Sequence, residues 1–171
     1  LALVGHVHHV QATLVAQVRP LDAVQWAMYY LPVFPPGAAD VGDGQGFRGA
    51  LKQSAEAWRG GDLTKALAAL DGVADADVKD SRFFSYRASL LLAAGSVDAA
   101  TKDVDRALAL SATNADALSL RAIVAVAANQ PDKALSAANG AVAADAKSAS
   151  ARVARSYALQ ARFDLAGARE S

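Results

Sequence analysis

The sequence predicts an all-α protein, a solenoid of short helix-turn-helix pairs preceded by a different kind of amino-terminal piece. Three observations carry that expectation. Alanine fills 43 of 171 positions while aromatic residues make up only 6%, a balance that favours close-packed helices over sheets because alanine is the strongest helix former. Small and turn-forming residues recur every thirty-four positions from residue 47 onward, and a fixed period of that length marks a repeat architecture. Within one recurrence Phe84, Ala88 and Leu91 fall at helical spacing, the pattern of one buried helix face.

Gly61, Asp62 and Ala66 are followed thirty-four residues later by Gly95, Ser96 and Ala100. The next steps give Asn129, Gln130 and Ala134, then Phe163, Asp164 and Ala168. The same step relates Ser54, Ala88, Ala122 and Ser156, and also Ala107 and Ala141, with Val73 the one large residue in that second column. Units at 47–80, 81–114 and 115–148 result, with a partial fourth at 149–171. In the second unit the first helix is expected from Phe83 to Ala94 and the second from Asp98 to Leu108. Gly95 supplies the left-handed residue that ends the first helix. Asn129 takes its place in the third unit, where Pro131 occupies a tolerated first-turn position. Asp80-Ser81, Thr113-Asn114 and Ser148 offer side chains that cap the following helices. The small residues let paired helices approach closely, and a large side chain there would cost roughly 1–3 kcal/mol.

A thirty-four-residue helix-turn-helix with small residues at these offsets resembles the tetratricopeptide repeat, and the resemblance covers residues 47–171. The chain departs from the family pattern in three places. The favoured early tryptophan is Ala50, Phe84, Leu118 and Arg152 here, and the leucine three residues later is Gln53, Arg87, Arg121 and Arg155. The proline near the unit end is replaced by Val78, Ala112 and Ala146.

Residues 1–46 differ in kind. The stretch from Val10 to Val18 reads as extended, and Asp22 caps a short helix, Ala23 to Tyr30, that Pro32 stops, since proline cannot continue a helix. Trp26, Tyr29 and Tyr30 fall at i, i+3 and i+4 and form one aromatic face. That helix is expected to cap the first repeat, because a terminal repeat leaves apolar surface exposed. The glycine- and proline-rich stretch through Gly46 reads as a linker. Residues 18–33, VRPLDAVQWAMYYLPV, resemble the junction at which bacterial envelope proteins join a FecR-type domain to tetratricopeptide repeats. That resemblance implies that residues 1–19 are the tail of a β-rich FecR-like domain, residues 20–46 the capping helix and linker, and the setting a bacterial cell envelope, in particular the periplasm. The absence of an initiator methionine before Leu1 is read as a start inside a longer precursor.

Seventeen basic against seventeen acidic side chains leave no net charge, so the electrostatic surplus that binds nucleic acid or anionic lipid is missing. No run of about 18 uncharged apolar residues is present to span a bilayer. With no cysteine in the chain, thiolate chemistry and disulfides are excluded. His6 and His8 share a face of an extended strand and His9 points away, but no further ligand completes the roughly four that zinc needs. A polar strand end is the expectation there, and no metal or cofactor is expected. Asp40, Asp43 and Gly44 lack the ligand run and closing glutamate of a calcium loop and read as a turn. No Ser/His/Asp set or phosphate-cradling glycine loop emerges, so the chain is expected not to be an enzyme.

In tetratricopeptide repeats the concave face takes the second, fifth, ninth and twelfth positions of each unit. The resemblance therefore implies a groove of Arg48, Leu51, Ala55 and Trp58, then Arg82, Ser85, Ser89 and Leu92. Asp116, Ser119, Ile123 and Val126 continue it, followed by Ser150, Val153, Tyr157 and Gln160. Such a groove is mostly apolar and suits a helix or extended peptide whose side chains insert as anchors; the alternative is that neighbouring units fill part of it. Arg87, Arg121 and Arg155 recur at one offset, which stacked repeats would set roughly 10 Å apart. Their stems are expected to pack between helices with the heads on local acids, the alternative being a row that grips a partner's carboxylates. The function expected is a protein- or peptide-binding scaffold. The rival is a self-assembling subunit, because the chain stops at Ser171, shortly after a helix expected from Ala149 to Arg162.

Overall fold

The computed structural model describes residues 47–163 together with Gly167 and Ser171. The extended stretch, aromatic helix, linker and histidine cluster expected before residue 47 lie outside the described residues. Among the described residues the fold is all-α, with seven α-helices, one 3-10 turn and no strand. The helices are α1 (Phe47–Arg59), α2 (Leu63–Ala68), α3 (Ser81–Ala93), α4 (Val97–Leu110), α5 (Ala115–Ala127), α6 (Pro131–Ala144) and α7 (Ala149–Ala161). Helices α1, α3, α5 and α7 are each 13 residues long and begin thirty-four residues apart. Helices α4 and α6, 14 residues each, keep the same step. The period of the sequence is thus a period of the backbone.

Local chemistry sets these boundaries. Side chains of Asp62, Asp80, Asn114 and Ser148 accept from the backbone N–H groups of Lys65, Arg82, Ala117 and Ala151 at 2.8, 2.9, 3.0 and 3.2 Å. Each cap satisfies an amide that has no partner inside its helix, a contribution of about 1 kcal/mol. The first helix of each hairpin ends on a left-handed residue, with φ of 79° at Gly61, 77° at Gly95, 55° at Asn129 and 62° at Phe163. At Gly95 the N–H donates to the Leu92 carbonyl at 2.9 Å and the Ser96 N–H to the Leu91 carbonyl at 2.8 Å. Gly61 and Asn129 repeat that double bond, which satisfies the last carbonyls of the helix.

Phe163 is the exception in chemistry, since a bulky residue carries a penalty of roughly 1–2 kcal/mol in the left-handed region. Its side chain is also 80% exposed, so it gains little from packing. Phe163→Gly should stabilise the chain by up to about 1 kcal/mol once the greater backbone entropy of glycine is subtracted. A urea midpoint that falls, or does not move, would contradict this.

The helices pack in pairs, α1 on α2, α3 on α4, and α5 on α6, with α7 lying against both α5 and α6. Each pair also meets the next, α2 on α3, α4 on α5, and first helix on first helix from α3 to α5 to α7. Alanine makes these approaches close. Ala66, Ala100 and Ala134 are fully buried, as are Ser54, Ala88 and Ala122 in the other column. Polar contacts run between first helices at nearly one full period. Ser150 donates to Asp116 at 2.9 Å, Asn114 donates to Ser81 at 3.1 Å, and the Ser54 and Tyr86 hydroxyls share a hydrogen bond of 3.0 Å. The buried residues form two clusters. One gathers Leu51, Leu70, Phe83, Phe84 and Leu90 among others, and the second Leu92, Val104, Leu120 and Ile123 with the alanines around them.

One element departs from the expected pattern. A second helix matching α4 and α6 would run well past Ala68, but α2 has only six residues. The reason lies at Val73, which stands where Ala107 and Ala141 are completely buried. Two more methyl groups in that contact would overpack it. The chain instead unwinds through turns and a 3-10 segment, Asp75–Asp77, and tucks Leu70 and Val78 into the core at 1% and 2% exposure.

Candidate binding surface

The first-helix residues expected to line a groove separate into two groups. Leu51, Leu92 and Ile123 are buried at 8%, 1% and 2% exposure, packed among neighbouring helices. Ala55, Ser85, Ser89, Ser119 and Ser150 are buried as well. These positions are closed to a ligand, and the correction has a simple cause. Alanine at the crossings brings adjacent helices so near that much of the face is consumed by the protein's own packing. The buried hydroxyls donate inward, Ser85 to the Arg82 carbonyl at 3.2 Å, Ser89 to that of Tyr86 at 2.7 Å and Ser119 to that of Ala115 at 2.7 Å. None of them is left without a partner, as burial of a hydroxyl requires.

The second group stays partly open. Trp58, Val126, Val153 and Tyr157 are half-buried, and Arg48 and Arg82 are exposed. Trp58 rests against the first cluster and Val126 and Tyr157 against the second. Gln160 donates to the Ser156 hydroxyl at 3.1 Å. Arg48 and Arg82 meet in a shallow hollow of about 490 Å³ whose wall also includes Phe47, Lys79, Asp80 and Leu110. Arg82 forks onto Asp80, its Nε 2.9 Å from Oδ1 and 3.1 Å from Oδ2. That bond holds the Asp80 carboxyl below its ordinary range and raises Arg82. Leu110, 42% exposed, was not singled out in the sequence, because its place on the helix reads as a terminal residue of the apolar face.

The arginine column does not form a free row. Arg87 donates Nε to Asp103 Oδ2 at 2.6 Å and Nη2 to Asp103 Oδ1 at 2.9 Å, while Nη1 lies 2.8 Å from Asp75 Oδ1. Arg106 also reaches Asp75 and Asp103. The Arg87 guanidinium sits 5.2 Å from the Phe83 ring centroid and 5.5 Å from that of Phe84, within the range of cation–π attraction. Arg121 pairs with Asp105 at 2.6 Å, both exposed, a contact worth at most about 1 kcal/mol. Arg155 donates to the Asn139 side chain at 3.1 Å. All three heads are thus engaged on the second helix of their own or the preceding pair. Asp103 is the residue the sequence concealed, since the matching positions Ala69 and Ala137 carry no acid.

Among the described residues Asp116 is the one carboxyl shown to be pushed up, through burial, with the Ser150 hydroxyl bond opposing. Burial also raises the Tyr86 phenol. Among the described residues no group of three or more His, Asp or Glu side chains could hold a metal ion, and no helix is long and apolar enough to cross a membrane. The described residues thus form an all-α array of periodic helix pairs, with aromatic and cationic side chains left partly or fully exposed on the first helices. No family model matches the chain, and no curated protein sequence matches it.

Proposed function

We propose that this chain is a non-enzymatic scaffold of tetratricopeptide type that binds a protein or peptide partner. The observation that carries the reading is the common period of helix starts, left-handed turns and buried small residues, with first helices in contact from α3 to α5 to α7. Repeats of this kind bury faces on their neighbours and present an extended concave surface for recognition. Trp58 and Tyr157 supply half-buried aromatic anchors, the residue types that dominate binding energy at interfaces. A bacterial envelope setting, periplasmic in particular, rests on the resemblance at residues 18–33, outside the described residues.

The test uses the full chain as bait for partners from an envelope extract, followed by affinity measurement on Trp58→Ala, Tyr157→Ala and the double variant. Loss of at least about tenfold in the double variant is expected, equivalent to about 1.4 kcal/mol. Unchanged affinity would remove the first-helix surface from consideration. The second reading, self-assembly through the α7 end, is favoured by the exposed Phe163. Light scattering separates the two, because a chain that stays monomeric while it binds a partner is no self-assembling subunit.

A further inference from the structure

We propose that the aromatic segment around Trp26, Tyr29 and Tyr30 of this same chain docks into a hollow formed by α1 and the unwound stretch after α2. The hollow measures about 450 Å³, and its apolar wall includes Phe47, Ala50, Val73 and Val78, with Asp77 also on the lining. Among the three described pairs it belongs to the first, where the second helix stops early. Phe47, Ala50 and Val73 are half-buried and leave apolar surface for an occupant. An apolar wall with one carboxylate suits tyrosine or tryptophan, whose ring is apolar and whose O–H or N–H needs an acceptor.

Connectivity selects the occupant. Phe47 both lines the hollow and is joined directly to residue 46, so the preceding chain is delivered beside it. Thirteen residues, 34–46, separate Val33 from Phe47, a tether that reaches at most about 45 Å when extended. A tether of that length gives an effective concentration on the order of millimolar. A free partner at micromolar concentration would need a far higher intrinsic affinity to displace it. Trp26, Tyr29 and Tyr30 share one helical face by spacing, so one short helix could present all three.

The chain has no cysteine, which allows clean crosslinking of the full-length protein. Ala23, three residues before Trp26, belongs to the same face by spacing and leaves the aromatics intact when replaced. With a short thiol–thiol crosslinker, the Ala23→Cys/Ala74→Cys pair is expected to close within one molecule, while Ala23→Cys/Lys133→Cys is not. Equal crosslinking of both pairs, or none, overturns the proposal; crosslinks only between molecules overturn it in favour of a second copy as occupant. An independent measurement uses Trp58→Phe, which leaves Trp26 as the sole indole. Its emission should be blue-shifted and several-fold less quenched by acrylamide than a peptide of residues 18–33, and adding Val73→Asp should return it to the peptide's values. Solvent-like Trp26 emission in the folded chain overturns the proposal. If Val73→Asp unfolds the protein by circular dichroism, the crosslinking result decides.

Discussion

Arg87→Met should lower the stability of the folded chain by about 3–5 kcal/mol, read as a fall in urea midpoint at pH 7 with an unchanged slope. The size follows from what the substitution leaves behind. Asp103 has only 3% of its side chain exposed and receives two of its hydrogen bonds from Arg87. Arg106 offers a single contact at 3.4 Å, too long to replace them. Methionine fills most of the volume, so the loss reports the stranded carboxylate rather than a cavity. Arg87→Met/Asp103→Leu should accordingly recover most of the stability, because a buried pair exchanged for apolar residues is often neutral. A double variant no better than the single one would refute that assignment. Acid provides a second check. The Arg87 hydrogen bond holds the Asp75 carboxyl below its ordinary value of 3.8. Its stabilisation is present above 3.8 and is lost as pH falls through the lower folded value. The gap between wild type and Arg87→Met should therefore narrow below pH 3.8.

Phe83→Ala should cost about 3–5 kcal/mol by cavity formation, measured the same way. Phe83 is the largest of the completely buried side chains among the described residues. Its ring meets Phe47 edge to face at 6.0 Å and Phe84 at 5.4 Å, with the Arg87 guanidinium against it. Phe83→Leu keeps most of the volume and should lose less than about 1.5 kcal/mol. Because Phe83 and Arg87 touch, their double variant should deviate from the sum of the single effects. A strictly additive result would mean that the ring and the guanidinium do not support one another.

The periodic scaffold was legible because its signals are local. Gly61, Gly95 and Asn129 announce their turns by residue type, and Asp80, Asn114 and Ser148 announce their caps. The second unit's helices, expected at Phe83 to Ala94 and Asp98 to Leu108, occupy Ser81–Ala93 and Val97–Leu110, displaced by no more than a fraying turn. The early end of α2 was hidden, because nothing in its own sequence forbids a longer helix. Only the tight alanine contact shown by Ala107 and Ala141 makes Val73 too large. Of the expected groove positions, sequence character alone did not separate those that stay partly open, such as Trp58 and Tyr157, from those that are core. Leu92 and Ile123 have the apolar character of anchors, and only the distance between neighbouring helices determines that they are core. Asp103 lay outside any repeated pattern, so its partnership with Arg87 required coordinates.

The unwound stretch between Ala69 and Asp80 is held by isolated turns such as Val73 to Leu70 and Asp77 to Ala74 rather than by a continuous helical ladder. Asp75 in its middle is fastened by guanidinium groups from α3 and α4. The first hairpin thus joins its neighbour through an apolar core, Leu51, Leu70 and Val78 against Phe83 and Phe84, with a charged tie beside it, while α7 meets α5 and α6 through apolar contact flanked by the Ser150–Asp116 and Arg155–Asn139 hydrogen bonds. Salt and acid act on the Asp75 tie and leave the apolar contacts beside it almost untouched, so this junction answers to solution conditions at its rim and not at its core.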